Sequence, residues 1–263
     1  MSTYVLSDIH GRMKTLERLL DRASLTEDDE LYILGDMVDR GPDSVGVLKL
    51  CRSLPNTTVL LGNHEGLMLD FYAHPNNAMA ILNWVINGGA ATAKGLEALK
   101  AEERQDLLDW VRSLRRWVVK TVGERTYILV HAGVMSASLP EDARDHIEEA
   151  LSAQDPDDLI WVREGYLDCP TGLVDEEGKG PIIVAGHTPT VLAETMADVA
   201  DRPALNEDGR CQMLSLGATE KTGMVADRLV IDCGAGSVPE HGRLLLLRLD
   251  DCKELYEDVL DGD

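Results

Sequence analysis

Aromatic residues and long apolar runs are both scarce in this chain. Its 263 residues include one Phe, four Trp and six Tyr, so Leu, Val, Ile, Ala and Met must build the core. No apolar run is long enough to cross a bilayer. The opening residues, MSTYVLSDIHGR, lack the basic start and apolar centre of a secretory signal. These absences predict a cytoplasmic protein with no membrane partner.

Cysteine pairs are also missing. The five cysteines are an odd number, are widely spaced and form no CxxC motif: Cys51, Cys169, Cys211, Cys233 and Cys252. This pattern argues against a disulfide framework and against a cysteine zinc site. It suits a reducing compartment.

Basic residues are outnumbered, with 25 Lys and Arg against 47 Asp and Glu and a formal charge of −22. Such a chain repels nucleic-acid backbones, so we expect no nucleic-acid partner. Hydrophobic residues make up 44% of the chain, which is an ordinary globular composition. We therefore interpret most of the negative charge as solvated surface and expect a monomer.

Short apolar runs recur along the chain between turn residues, which is typical of buried strands. They are YVL (4–6), LYIL (31–34), TTVLL (57–61), TYILV (126–130), PIIVA (181–185), RLVID (228–232) and RLLLLRL (243–249). Between the first three runs, apolar residues recur at three- and four-residue spacing, as on one face of a helix. This alternation predicts an α/β layered fold.

No linker, repeat or low-complexity tract divides the chain, so we predict a single domain over residues 1–263. Within it, residues from about 78 to 114 have a helical pattern and form a side region. Residues 193–227 have weak periodicity, which predicts an irregular excursion or a short hairpin.

Polar residues follow five of the predicted strands directly. The motifs are SDIHG with Asp8 and His10, GDMVDRG with Asp36, Asp39 and Arg40, GNHE with Asn63, His64 and Glu65, VHAG with His131, and AGHTP with His187. In open α/β sheets, ligands bind beyond the carboxyl ends of the strands, so these groups should meet at one edge. Two carboxylates, an amide and three imidazoles are enough ligands for two divalent ions of the manganese, iron or zinc type.

Each motif also has an ordinary structural interpretation. Asp8 and His10 could form a capped turn, and Asn63 and Glu65 could stabilise the start of a helix. Pro189 could open the next helix. These interpretations require five independent coincidences at strand ends, so the shared metal site is favoured.

Together, DIHG, GDMVDRG and GNHE resemble the signature of the phosphoprotein phosphatase family of metallophosphoesterases, in its bacterial and lambda-phage form. The resemblance continues through LNWVINGG (82–89), VHAG (130–133), IWVRE (160–164), AGHTP (185–189) and IDCGA (231–235). It spans residues 4–249 and implies a central β-sandwich flanked by helices, with the metal site at the carboxyl ends of the strands.

The resemblance also implies a role for each residue. Asp8 and His10 would bind the first ion, Asp36 would bridge both ions, and Asn63, His131 and His187 would complete the second site. Arg40 and Arg163, with Asn63, would bind the phosphate. Asp39 would orient His64 as general acid. The two ions would be Mn²⁺ in the first instance, with Fe, Zn, Ni or Co as alternatives.

The implied reaction is in-line attack of a metal-bridging hydroxide on phosphorus. The implied activity is that of a serine/threonine protein phosphatase acting on a phosphorylated protein or a small phosphoester. Ser7 replaces the glycine that usually precedes the first Asp of the family, a change that should not disturb Asp8.

Two alternatives remain open. A symmetrical diadenosine tetraphosphate hydrolase would share the metal centre, but its motifs lack the equivalent of Asp39 and end in Asp instead of Glu65. A non-catalytic interaction module would lack a ligand or the general acid, and this chain has all of them.

Overall fold

The computed structural model describes residues 1–238 and 240–263 and confirms the α/β layered fold. Two five-stranded mixed sheets pack face to face, and helices cover their outer faces. Among the described helices, none combines the length and apolarity that crossing a bilayer requires.

The strands of the described residues are β1 (Thr3–Leu6), β2 (Glu30–Ile33), β3 (Thr57–Val59), β4 (Trp117–Val122), β5 (Arg125–Val130), β6 (Ile182–Ala185), β7 (Leu214–Leu216), β8 (Arg228–Val230), β9 (Arg243–Arg248) and β10 (Lys253–Asp258). The first sheet has the order β10-β9-β1-β2-β3 and the second has the order β4-β5-β6-β8-β7. All seven runs predicted from the sequence form strands.

The helices of the described residues are α1 (Met13–Ala23), α2 (Ser44–Ser53), α3 (Asn63–Ala73), α4 (Ala78–Ile86), α5 (Ala90–Glu97), α6 (Ala101–Arg112), α7 (Ile147–Ser152), α8 (Asp158–Trp161) and α9 (Thr190–Met196). Helices α4 to α6 occupy most of the region expected to be helical from 78 to 114. Within 193–227, most residues are irregular, but β7 joins the second sheet antiparallel to β8.

Strand direction places the polar motifs at one edge. In the first sheet, β1, β2 and β3 run parallel, with Leu6 opposite Ile33 and Ile33 opposite Val59. In the second sheet, β5, β6 and β8 also run parallel. The carboxyl ends of β1, β2, β3, β5 and β6 each lead directly into one of the predicted motifs. β8 leads into Asp232, which was not predicted as a site residue.

The core has three layers. The inner layer lies between the two sheets and includes Val5, Leu129 and Leu247, which are all fully buried. A second layer lies under α1 to α6, and a third lies under α7 to α9. Because β9 is covered on both faces, its four central residues are consecutive leucines instead of alternating apolar and polar residues.

A fully buried arginine anchors the segment between α8 and β6. The Arg228 side chain is 0% exposed and forms ion pairs with Asp227 (2.8 Å) and Asp198 (2.9 Å). It also donates to the carbonyls of Tyr166 (2.6 Å) and Cys169 (2.7 Å). This network fixes the backbone just after Arg163.

Arg228→Leu should lower the free energy of unfolding by about 3–5 kcal/mol, because the buried Asp227 carboxylate and the buried Tyr166 carbonyl lose their partner. Arg248→Leu is the matched control. Its ion pair with Asp251 is solvent-exposed, so its loss should leave stability nearly unchanged. Urea denaturation of both variants measures the difference, and equal destabilisation would contradict a special role for the buried network.

Candidate metal centre and active site

Six predicted metal ligands meet at the carboxyl edge of the two sheets. Each has a side chain that is buried, with residue exposures of 6% or less: Asp8, His10, Asp36, Asn63, His131 and His187. Their backbones belong to five different strand ends. The structure therefore brings together residues that are separated by up to 179 positions in the chain.

Short distances join these ligands into one cluster. The Asn63 Oδ1 atom lies 2.9 Å from both His131 Nε2 and His187 Nδ1. Asp36 reaches both ends, with Oδ1 3.3 Å from His131 Nε2 and Oδ2 3.6 Å from His10 Nε2. Asp36 thus occupies the central position that a bridging carboxylate requires.

The turns that carry these side chains have unusual backbone conformations. Of the ten non-glycine residues with positive φ in the described part of the chain, six belong to this edge: Asp8 (54°), His10 (48°), Asp36 (55°), Asp39 (73°), Arg40 (66°) and His187 (63°). Such conformations are unfavourable for residues with a side chain and concentrate at functional sites. The strain supports the interpretation of this edge as the functional one.

Backbone carbonyls orient two of the imidazoles. His10 Nδ1 donates to the Val38 carbonyl, and His131 Nδ1 donates to the Leu34 carbonyl, both at 2.9 Å. Each ring therefore presents an unprotonated Nε2 atom to the cluster, as a metal ligand must.

Burial shifts the pKa values of the predicted ligands. It lowers the pKa of His10 and His187 well below the usual value, and neighbouring imidazoles and guanidinium groups lower it further. Burial likewise lowers the pKa of His131. These rings are neutral at pH 7. In contrast, burial raises the pKa of Asp36 well above its usual value, and the charge of Asp8 adds to the rise.

Divalent cations fit this donor set. Asp8 Oδ1 is buried and has no hydrogen-bond partner among the described residues. His131 Nε2, whose ring proton is on Nδ1, faces the acceptor oxygens of Asn63 and Asp36 without a proton between them. Acceptors that face each other in a buried site are satisfied by a shared cation. Carboxylate, amide and imidazole ligands favour a transition-metal ion.

Two groups of potential ligands share Asp36. One contains Asp36, His131 and His187, and the other contains His10, Asp36 and His64. The second group differs from the prediction, which assigned Asp8 and not His64 to the first ion. We favour Asp8, because its Oδ1 atom is buried, has no hydrogen-bond partner among the described residues and lies 3.9 Å from His10 Nε2.

His64 and Asp39 form a buried pair beside the metal ligands. His64 Nδ1 donates to Asp39 Oδ2 at 2.7 Å. Trp84 Nε1 and Thr92 Oγ1 donate to the same carboxylate at 3.0 and 2.6 Å. The carboxylate is thus held in place from three sides, and it orients the imidazole so that Nε2 faces the cluster.

Two arginines face the same space. Arg40 donates to His10 Nε2 (3.1 Å) and to His64 Nε2 (3.0 Å). Arg163 is half-buried, its Nε atom has no partner among the described residues, and burial lowers its pKa. The charge of Asp232 raises the pKa of Arg163, and the charge of Arg40 lowers it further.

Several residues of the site were missed or given no firm role. Asp232 follows β8 and is 3% exposed, and burial together with Asp8 raises its pKa well above the usual value. The strand-end pattern could have found it, since it lies in IDCGA. LNWVINGG contains Trp84 but does not indicate that its indole reaches Asp39, and Thr92 left no local signal. Both residues reach Asp39 from the helical side region.

Glu65 is fully buried and stabilises two neighbouring turns through hydrogen bonds. Its carboxylate accepts the backbone N–H groups of Asp36 (2.8 Å), Met37 (2.8 Å), Val38 (3.2 Å) and Gly62 (3.0 Å). It therefore ties the loop after β2 to the start of α3, as suggested by its position at the start of a helix.

Residues 1–214 match the sequence profile of the family described as calcineurin-like phosphoesterase. This chain belongs to that family. Over 183 residues, 66% of its length, it is 34% identical to "Bis(5'-nucleosyl)-tetraphosphatase, symmetrical" of Dechloromonas aromatica. The match covers 59% of that relative, so the chain spans about three-fifths of its length.

Solved structures share the fold. A metallophosphoesterase from Sphaerobacter thermophilus aligns over 99% of this chain and 88% of its own, with a TM-score of 0.54 and 17% identity. A protein serine/threonine phosphatase from Saccharomyces cerevisiae aligns over 100% and 81%, with a TM-score of 0.53 and 13% identity. These structures show the fold alone, and the family match is what indicates a metal-dependent phosphoesterase. The curated relative carries the name of the dinucleotide hydrolase and not of the phosphoprotein phosphatase.

Adding Mn²⁺ to metal-stripped protein should raise the melting temperature by about 5–10 °C at a hundredfold excess over Kd. The increase should be smaller at pH 5.5 than at pH 7.5, because the raised pKa of Asp36 lets protons compete with the cation. Differential scanning calorimetry measures both shifts.

Asp36→Asn should abolish most of the increase, since both groups of ligands contain Asp36. His74→Asn is the matched control, because the His74 side chain is exposed and, among the described residues, pairs with Asp70 alone. An increase of equal size in both variants would show that the cation binds elsewhere.

Proposed function

We propose that the chain hydrolyses a symmetrical dinucleoside tetraphosphate to two nucleoside diphosphates. Water adds to one of the two central phosphorus atoms, and the bridging oxygen leaves with the other half of the molecule. The supporting observations are the 34% identity over 183 residues to a relative of that name and the buried cluster of Asp8, Asp36 and Asn63 at the sheet edge.

The ligand roles are part of the proposal. Asp8, His10 and Asp36 would hold one divalent ion, and Asp36, Asn63, His131 and His187 the other. When bound, such ions supply Lewis acidity that offsets the phosphate charge and lowers the pKa of water.

The remaining residues would act on the substrate directly. Arg40 and Arg163 offer planar forks of donors to the phosphate oxygens. His64, held by Asp39, would give its proton to the leaving oxygen. Manganese as the resident metal, a monomeric state, a single domain and a cytoplasmic location are further proposals.

A serine/threonine protein phosphatase is the second candidate. The observation that favours it is the buried His64–Asp39 pair, with its 2.7 Å hydrogen bond. A serine or threonine alkoxide is a poor leaving group that requires a proton, whereas a nucleoside diphosphate leaves readily without one. A general acid held this firmly is therefore more useful for phosphomonoesters.

Metal-restored protein should release nucleoside diphosphate alone from diadenosine tetraphosphate, at a higher kcat/KM than it releases phosphate from a phosphoserine peptide. Anion-exchange chromatography of the products measures the first, and a phosphate assay measures the second. Release of AMP and ATP would contradict symmetrical cleavage. A higher kcat/KM on the peptide would favour the second candidate.

His64→Asn should lower kcat on a phosphoserine peptide by about two orders of magnitude, the usual loss for a general acid. The loss should be smaller on an aryl phosphate and on the dinucleotide, whose leaving groups need less protonation. Steady-state kinetics on the three substrates, with His74→Asn as control, tests this. Equal losses on all three would contradict the general-acid role.

A further inference from the structure

Trp161 has an exposed aromatic surface directly beside the metal ligands. Its residue is 40% exposed, whereas Trp84 is 1% exposed. Its ring lies with its centroid 5.9 Å from that of His187, at an interplanar angle of 83°. A large aromatic side chain with this much free surface, in contact with a buried polar site, is suited to binding a flat ligand.

The segment after Trp161 adds a cationic group that is suited to binding phosphate. Trp161 ends α8, Val162 is buried with extended backbone angles (φ −61°, ψ 139°), and Arg163 follows directly. One short segment thus presents an aromatic face and a guanidinium group whose Nε atom has no partner among the described residues.

Because the chain is strongly negative, an uncharged binding surface is useful for a polyphosphate substrate. With a formal charge of −22, the protein repels polyphosphates at long range. A nucleobase is the uncharged part of such a substrate, and stacking on an aromatic ring binds any base without requiring a positive charge.

We infer that Trp161 is the stacking platform for one nucleobase of the substrate, while Arg163 binds the phosphate chain next to it. This inference rests on the proposed dinucleotide hydrolysis. It assigns base recognition to stacking, so the enzyme should accept dinucleotides with different bases. An apolar side chain of a phosphopeptide is the competing occupant, and the test separates the two.

Trp161→Leu and Trp161→Phe form a matched pair, since both shorten the side chain and only Phe keeps an aromatic face. With the leucine variant, KM for diadenosine tetraphosphate should rise about tenfold more than KM for inorganic tripolyphosphate, which has no base. The phenylalanine variant should recover most of the difference. A similar change on both substrates, or equal behaviour of the two variants, would overturn the inference. So would a loss found only on a phosphoserine peptide.

A binding measurement tests the platform without turnover. Titration of Mn²⁺-loaded protein with ADP should quench tryptophan fluorescence, because the base stacks on the exposed ring. Trp161→Leu should lose this quenching and bind ADP about tenfold more weakly by calorimetry. Trp110→Phe should keep both, since Trp110 lies on α6 near Arg52 and away from the site.

Unchanged quenching in Trp161→Leu would overturn the inference. If the wild-type protein cleaves phosphate esters but not the dinucleotide, the proposed function fails on its own. The ADP titration still decides whether Trp161 binds a base.

Discussion

The edge that carries the predicted metal ligands depends on one fully buried carboxylate, Glu65. Glu65 accepts four backbone N–H groups, three from the loop after β2 and one from Gly62. Burial raises its pKa, while those donors lower it, so the carboxylate is held by the hydrogen bonds that compensate for its burial. Close packing surrounds it, because a Cβ atom on Gly62 would lie 2.2 Å from Asp36 Oδ1. The hydrogen bonds of Glu65 join the loop after β2 to the start of α3, so Asp36 and Asn63 keep a fixed distance from each other.

The strands of the sandwich could be predicted because burial on both faces leaves a strong local pattern. β9 is an example, with four consecutive leucines. The missed strands lack this pattern. β4 is half-buried along its length and reads as a mixed sequence, and β10 is a partly exposed strand at the end of the first sheet with charged residues in most positions. Each pairs with its neighbouring strand across a turn, β4 with β5 and β10 with β9, and this pairing decides its structure.

The candidate site was predictable to the extent that strand ends determine it. Parallel strands bring Asp8, Asp36 and His131 to one edge, and this does not depend on the conformation of the connecting loops. Trp84 and Thr92 reach Asp39 only because helices α4 and α5 fold back over it, and no local motif signals that packing. Substrate choice was the weakest inference. Asp39 and Glu65 favour a phosphatase, whereas the relative that matches over 183 residues carries the name of a dinucleotide hydrolase. The metal ligands do not distinguish the two, because the same metal centre serves both reactions.

The left-handed turns at this edge have a consequence for protein engineering. Arg40 adopts a positive φ of 66° and is exposed, so glycine or asparagine would relieve its backbone at little loss of packing. Asp39 also has a positive φ, at 73°, but its buried carboxylate accepts three hydrogen bonds whose donors a replacement would leave unpaired. A library screened only for survival at high temperature would therefore keep Asp39 and replace Arg40, losing its contact with His64.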